Sequence, residues 1–280
     1  MNETAIEWTN VTWNPNSGCV KIAPECKYCY AYTLAEHKRD TKAFPNGFDI
    51  TIRTHKLREP FRLKRPSFTF VNSMSDLFWE AIPEDFRNKV VDVIEATPQH
   101  QYQVLTKRPP KLLEYSRRRK LPRNFWAGVS IGTKRNTHFA DILREVDATV
   151  RFISAEPILE PLDTLNLDGI HWLITGGESG VHLYIPDIRE QRGLVDYAEK
   201  RWTPRPSRVP WVQDLRDRAL AGAVAFFHKQ WGGATPKAAG RQLDGKTWDE
   251  LPFVALDRVD RSIETPLRTH HSVFKDVEIE

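Results

Sequence analysis

The chain has 280 residues, 40% of them apolar and 28% charged, which is enough to bury a sizeable core and too apolar for a disordered polypeptide. A net charge of +4 is a mild bias toward anionic partners and no more than that. No apolar run approaches the roughly 18 residues of a membrane span, and MNETAIEWTN has neither the basic start nor the apolar stretch of a secretory signal, so the expectation is a cytoplasmic protein without a membrane anchor.

In chain order, short apolar runs alternate with stretches of helical period. The first run is Val11 to Trp13, and directly after it lie the only three cysteines, within eleven consecutive positions. The next runs are Phe68 to Val71, Tyr102 to Leu105, Phe125 to Val129, Val150 to Ile153, Ile170 to Ile174 and Val224 to Phe227. Their near-continuous apolarity predicts strands buried on both faces of a parallel sheet. Between them, Pro83-Glu84-Asp85 opens a helix with Phe86, Val90, Val93 and Ile94 on one face. Pro110 to Lys120 reads as an outer helix. Asn136 is predicted to cap another, with Phe139, Ile142, Leu143 and Val146 buried, and a last helix runs from Trp211 to about Ala221. This βα succession fits a barrel or an open doubly wound sheet.

The strand ends favour the barrel, because polar groups gather there: Ser73, Ser75 and Asp76 after the second run, Lys107 after the third, Glu156 after the fifth, Glu178 after the sixth, and His228 and Lys229 after the last. Long ionisable side chains exceed what a turn needs, so Lys107, Glu156, Glu178 and Lys229 are candidate catalytic residues of a shared pocket. His228 reads equally as a core histidine or a pocket group. The stretch 180–210 is a long connection of the kind that forms a lid or a partner-binding insert, and it reads as easily as a surface elaboration. The domain reading is a barrel over 1–231, a cysteine loop at 14–31, and an extension over 232–280 that packs on the barrel.

Three clustered cysteines in a long chain point to metal or redox chemistry, not to a disulfide framework. Cys19, Cys26 and Cys29 suffice to bind three irons of a [4Fe–4S] cube and leave the fourth open for a ligand. A closed zinc site is the rival, since a C-x2-C pair is also a zinc half-site and His37 is near enough in sequence to complete Cys3His. Arg117 to Lys120, with Arg62, Lys64 and Arg65, form either a phosphate-tracking patch or a solvated face.

The blocks WNPNSGC and CKYCYA resemble the cluster loop of radical S-adenosylmethionine (SAM) enzymes, particularly those similar to spore photoproduct lyase. With VNSMSDLF, QVLTKRP, GVSI, RFISAEP, GGESG, FFHKQWGG and GRQLDGKTWDELP, the whole chain resembles a phage- and prophage-associated, radical-SAM-like family with a three-cysteine motif. The resemblance implies an α/β partial (β/α) barrel of about six to seven mostly parallel strands with outer helices. It implies a [4Fe–4S] cluster on Cys19, Cys26 and Cys29, and SAM bound near Tyr28, Ser73, Ser75 and Asp76. The implied chemistry is reductive cleavage of SAM to a 5′-deoxyadenosyl radical acting on a nucleotide or nucleic-acid substrate, with a protein partner or reductant. Two departures stand out. Six residues separate Cys19 from Cys26 where three are usual, and Gly176-Gly177-Glu178 follows the sixth strand rather than the second. The alternative from another class is a non-enzymatic accessory protein, stabilised by zinc or a cluster, that binds nucleic acid or protein.

Overall fold

The structure, a computed structural model, describes residues 1–252. Its main sheet has eight strands in the order β1 (Asn2–Glu3), β2 (Val11–Trp13), β5 (Phe68–Val71), β6 (Gln101–Thr106), β7 (Phe125–Ser130), β8 (Val150–Ala155), β9 (Trp172–Gly176) and β12 (Ala225–Gln230). Only β1, a two-residue edge strand, runs antiparallel to its neighbour. The seven parallel strands are the seven apolar runs, and they lie side by side in chain order. A doubly wound sheet would reverse its strand order at a switch point. Here α3 (Glu84–Ala96), α4 (Pro109–Arg118), α5 (Phe139–Arg144) and α7 (Val209–Ala221) all pack on one face of strands that follow chain order, and the result is a partial (β/α) barrel. Small sheets β3 (Asn16–Ser17) with β4 (Thr51–Ile52), and β10 (Val195–Ala198) with β11 (Arg201–Pro204), decorate it.

The two faces of the strands bury different residues. Outward-facing Val104, Val129, Ile153 and Leu173 meet these four helices in one continuous core. On α3 the predicted stripe of Phe86, Val90, Val93 and Ile94 is the buried one. Inward-facing Phe70, Trp126, Phe152, Trp172, Ile174 and Phe227 join Trp8 in an aromatic plug. Trp8 lies 4.7 Å from Phe70 and 6.1 Å from Trp172, ring centre to ring centre. Gly128 makes room for this packing: a Cβ there would sit 2.2 Å from Phe152 Cζ.

Two predicted details differ. Asn136 caps no helix; it ends a 3-10 turn, and α5 starts at Phe139 behind His138. Its amide instead donates to Glu25 in the cysteine loop, 3.3 Å away, a long-range use that local pattern does not reveal. The basic run on α4 is a paired face, with Arg117 on Glu145, Arg118 on Glu114 and Glu84, and Arg119 on Asp92. Of the predicted extension, residues 232–252 lie against the sheet edge, where Trp231 donates to the Gln242 carbonyl and Trp172 to that of Glu250; residues 253–280 lie outside the described residues. No helix among the described residues is long and apolar enough to cross a membrane.

His228 is a core residue. It is fully buried in β12, beside the Trp231 ring at 4.6 Å, with Nδ1 2.9 Å from Thr175 Oγ1. Burial, with Arg241 adding to it, pushes its pKa down to about 3. Below the ordinary value of about 6.5, the unfolded chain takes up a proton that the folded one refuses. Stability therefore falls as pH drops from about 6.5 toward 3, by about 1.4 kcal/mol per pH unit from this group. His228→Gln should flatten that acid limb in urea titrations run between neutral and acid pH. An unchanged slope would show that His228 does not titrate on unfolding.

Candidate functional site

The aromatic plug is the floor of a cavity of about 390 Å³ that opens at the carboxyl ends of the parallel strands. Every predicted site residue lines it: Cys19, Cys26 and Cys29; Tyr28; Ser73, Ser75 and Asp76; and Lys107, Glu156, Glu178 and Lys229. Residues separated by two hundred positions thus meet on one wall because parallel strands all end on the same side.

The cysteine loop lies across the cavity mouth, tied down on three sides. On the β5 side, Gly18 N donates to the Met74 carbonyl at 3.0 Å, and Ser75 Oγ donates to the Gly18 carbonyl at 2.6 Å. Ser73 Oγ and Asn14 Oδ1 are 3.2 Å apart, and the Tyr30 hydroxyl donates to the Ser73 carbonyl at 2.6 Å. That hydroxyl is enclosed although the ring is exposed, and its burial, with the Cys29 sulfur nearby, pushes its pKa up. Gly18 has φ +95°, and a Cβ there would meet the Asp49 carbonyl oxygen at 2.5 Å, so only glycine fits. Near β7, Glu25 Oε1 accepts from Gly132 N at 2.8 Å. The third tether is the stretch 180–210, which forms a 3-10 turn (Val181–Tyr184), α6 (Pro186–Arg192) and the β10–β11 hairpin. Arg192 there donates to the Pro24 carbonyl at 3.1 Å, and His182 stacks on Tyr28 with centroids 3.9 Å apart.

The acids of the rim are largely committed. Asp76 is 5% exposed and accepts four hydrogen bonds, from Thr106 Oγ1 (2.7 Å), Phe78 N (3.0 Å), Lys107 N (3.0 Å) and Arg108 Nη1 (3.1 Å). Those fill its lone pairs. Glu178 holds Arg192 through both oxygens, at 2.5 and 2.8 Å. Glu156 pairs with Lys229 at 2.7 Å and also accepts from Gln230 at 3.2 Å. Lys107 is half-buried, and its ammonium has no ion pair among the described residues.

Sequence reasoning missed the group next to the sulfur. Arg108, 6% exposed, sits between Asp76 and Cys19, with Nη1 3.7 Å from Cys19 Sγ and Nε 3.3 Å from Glu80. Burial and Asp76 push the Cys19 thiol up, while Arg108 pulls it down toward the thiolate that binds metal. Arg192 and Glu25 were missed as well. The only sequence signal for Glu25 was the extra length between Cys19 and Cys26.

All three cysteines are free and half-buried. Among the described residues, no three His, Cys, Asp or Glu side chains converge closely enough to hold one metal ion. A tetrahedral zinc with bonds of about 2.3 Å needs its donors within about 4 Å of one another, and His37, the proposed fourth ligand, is exposed at the end of α1 (Tyr30–His37). A [4Fe–4S] cube asks for less convergence, because each thiolate takes a different iron. The three thiols line one cavity without converging on a single point, and their chemistry is that of iron–sulfur ligands.

Residues 3–252 match the family described as "Protein of unknown function (DUF5131)". The chain belongs to this family. No curated protein matches it. Among solved structures, this member of the family is similar in fold to spore photoproduct lyase complexed with dinucleoside spore photoproduct, at 14% identity and a TM-score of 0.45, over 78% of this chain and 74% of that one. A variant of the same enzyme gives 13% identity and a TM-score of 0.49, over 80% and 75%. Another, with bound AdoMet and dinucleoside spore photoproduct, gives 12% and 0.44, over 80% and 75%.

Proposed function

We propose that this cavity is the active site of a radical SAM-type enzyme, with Cys19, Cys26 and Cys29 holding a [4Fe–4S] cluster. One observation carries the reading: all three thiols and the four candidates Lys107, Glu156, Glu178 and Lys229 line a single cavity at the carboxyl end of a parallel barrel. When bound, the cluster and SAM would supply one-electron, reductive chemistry driven by an external reductant, ending in hydrogen-atom abstraction from the substrate. The chain's own residues do the rest. Ser73, Ser75 and Asp76 hold the cysteine loop and Arg108 in register beside the SAM site. Tyr28, stacked on His182, forms its side wall. The aromatic floor excludes water from the reacting atoms.

Lys107, whose charge is unpaired among the described residues, takes an anionic group such as a carboxylate or phosphate. The Glu156–Lys229 pair, half-buried, is placed to hold or exchange a proton with a polar substrate group. Those features suit a nucleotide or nucleic-acid substrate, and a protein reductant is the natural partner.

The test is anaerobic reconstitution with iron and sulfide, then incubation with SAM and dithionite. A brown protein with about four irons per chain that releases 5′-deoxyadenosine supports the reading. A colourless protein with stoichiometric zinc and no product sinks it in favour of an accessory binding protein.

A further inference from the structure

We infer that the cysteine loop, α1 and the turn over 181–185 form a docking face for an acidic electron-donor protein. The inference deepens the reading above and rests on it, because it gives the external reductant a place to bind. Ten large apolar side chains stand exposed among the described residues, and eight of them lie on these three pieces. Val20 and Ile22 are in the loop, Tyr30, Tyr32 and Leu34 are on α1, and Val181, 75% exposed, opens the turn. Single exposed apolar residues are ordinary, whereas a gathering of this kind marks an interaction surface. α1 is also turned the wrong way round for a helix that serves only its own core. It buries Ala31 and Ala35 and presents Tyr30 and Leu34, four positions apart, to solvent.

Contacts join the three pieces into one surface. Lys21 Nζ lies 4.4 Å from the centre of the Tyr32 ring and donates to the Lys27 carbonyl at 3.0 Å. Lys27 Nζ lies 5.3 Å from the centre of Tyr28, which stacks on His182, the residue after Val181. The face starts at the cavity mouth, where Val20, Ile22 and Tyr30 line the wall, and runs outward to Leu34 and Val181, which do not line it.

The charge around the apolar patch decides what covers it. Lys21, Lys27, Lys38 and Lys42 are exposed and make no ion pair among the described residues. Arg39 takes the neighbouring acids Glu36 and Asp49, and Glu25 is buried, which leaves Asp40 as the one exposed, unpaired acid over 19–49. An apolar centre with a lysine rim complements a protein surface that has an apolar centre and an acidic rim. A nucleic acid is served less well, since Val20, Ile22, Leu34 and Val181 offer no aromatic plane for a base to stack on. Position gives the partner its task. Lys27 follows Cys26 and Tyr30 follows Cys29, so a protein seated here lies against the thiols. The donor gives up one electron, the oxidised cluster takes it, and no bond is made or broken.

The experiment is anaerobic stopped-flow reduction of the iron-loaded protein by reduced flavodoxin, an acidic FMN protein, read as loss of the cluster's visible absorbance. Leu34→Ser/Val181→Ser removes apolar contact and Lys38→Gln/Lys42→Gln removes charge; none of the four residues lines the cavity. Each double variant should cut the second-order rate about tenfold, and added salt should slow wild type more than the lysine variant. Iron per chain, melting temperature and the rate with dithionite should match wild type. A flavodoxin rate equal to that of wild type in either double variant overturns the inference and leaves the cavity's assignment intact. If such a variant instead binds a single-stranded oligonucleotide more weakly, the face belongs to nucleic acid. A parallel fall with dithionite also overturns the inference, because the substitutions would then act on the cluster and not on docking. A wild-type protein that takes up no iron overturns both the inference and the assignment.

Discussion

Replacing Cys19, Cys26 and Cys29 together with alanine should take iron from about four per chain to none, and 5′-deoxyadenosine formation to background. The expected protein is colourless and folded. The loop's anchors explain why: the Gly18 and Ser75 contacts to the β5 end, the Glu25 contact to Gly132, and the Arg192 contact to Pro24 involve no sulfur. Circular dichroism should therefore match that of the metal-free wild type. Three small half-buried thiols removed from a cavity wall cost little packing compared with a deletion in the aromatic plug. Iron retained by the triple variant would mean that the ligands lie elsewhere. Zinc retained at one per chain would mean the same.

The barrel was legible because its strands are buried on both faces. A run such as Phe125-Trp126-Ala127-Gly128-Val129 has no polar position to blur it, and the chain order of the runs is also their order in the sheet. The rim was legible for a related reason: a parallel sheet puts all strand ends on one side, so polar residues after the runs had to converge. What pairs with what was not legible. Asp76 meets Arg108 across 32 positions, Glu156 meets Lys229 across 73, and Arg192 reaches Pro24 across 168. No helical or strand period links such residues, so their roles changed once seen. Asp76, expected to face a cofactor, is saturated by its own neighbours. Asn72, just past the end of β5, has φ +63°, a conformation that asparagine is one of the few side chains to tolerate.

Asp76→Ala should be among the most damaging single changes in the described chain. It removes a carboxylate that satisfies two backbone amides, a threonine hydroxyl and a guanidinium, and leaves Arg108 buried with only the exposed Glu80 for charge. Breaking one side of such a pair costs about 3–5 kcal/mol. For a domain of this size that is a fall in melting temperature on the order of 10 °C. The double variant Asp76→Ala/Arg108→Met separates charge from packing. If the stranded guanidinium is the main penalty, the double variant should be more stable than Asp76→Ala alone, a coupling readable from denaturant midpoints. Strict additivity of the two single effects would show that Asp76 acts through its backbone contacts and not through Arg108. The same pair of variants reports on the sulfur, because Asp76 braces Arg108 where it lies 3.7 Å from Cys19. In the metal-free protein, Cys19 should thus be alkylated more slowly at neutral pH once Arg108 is replaced, having lost the cation that favours its thiolate.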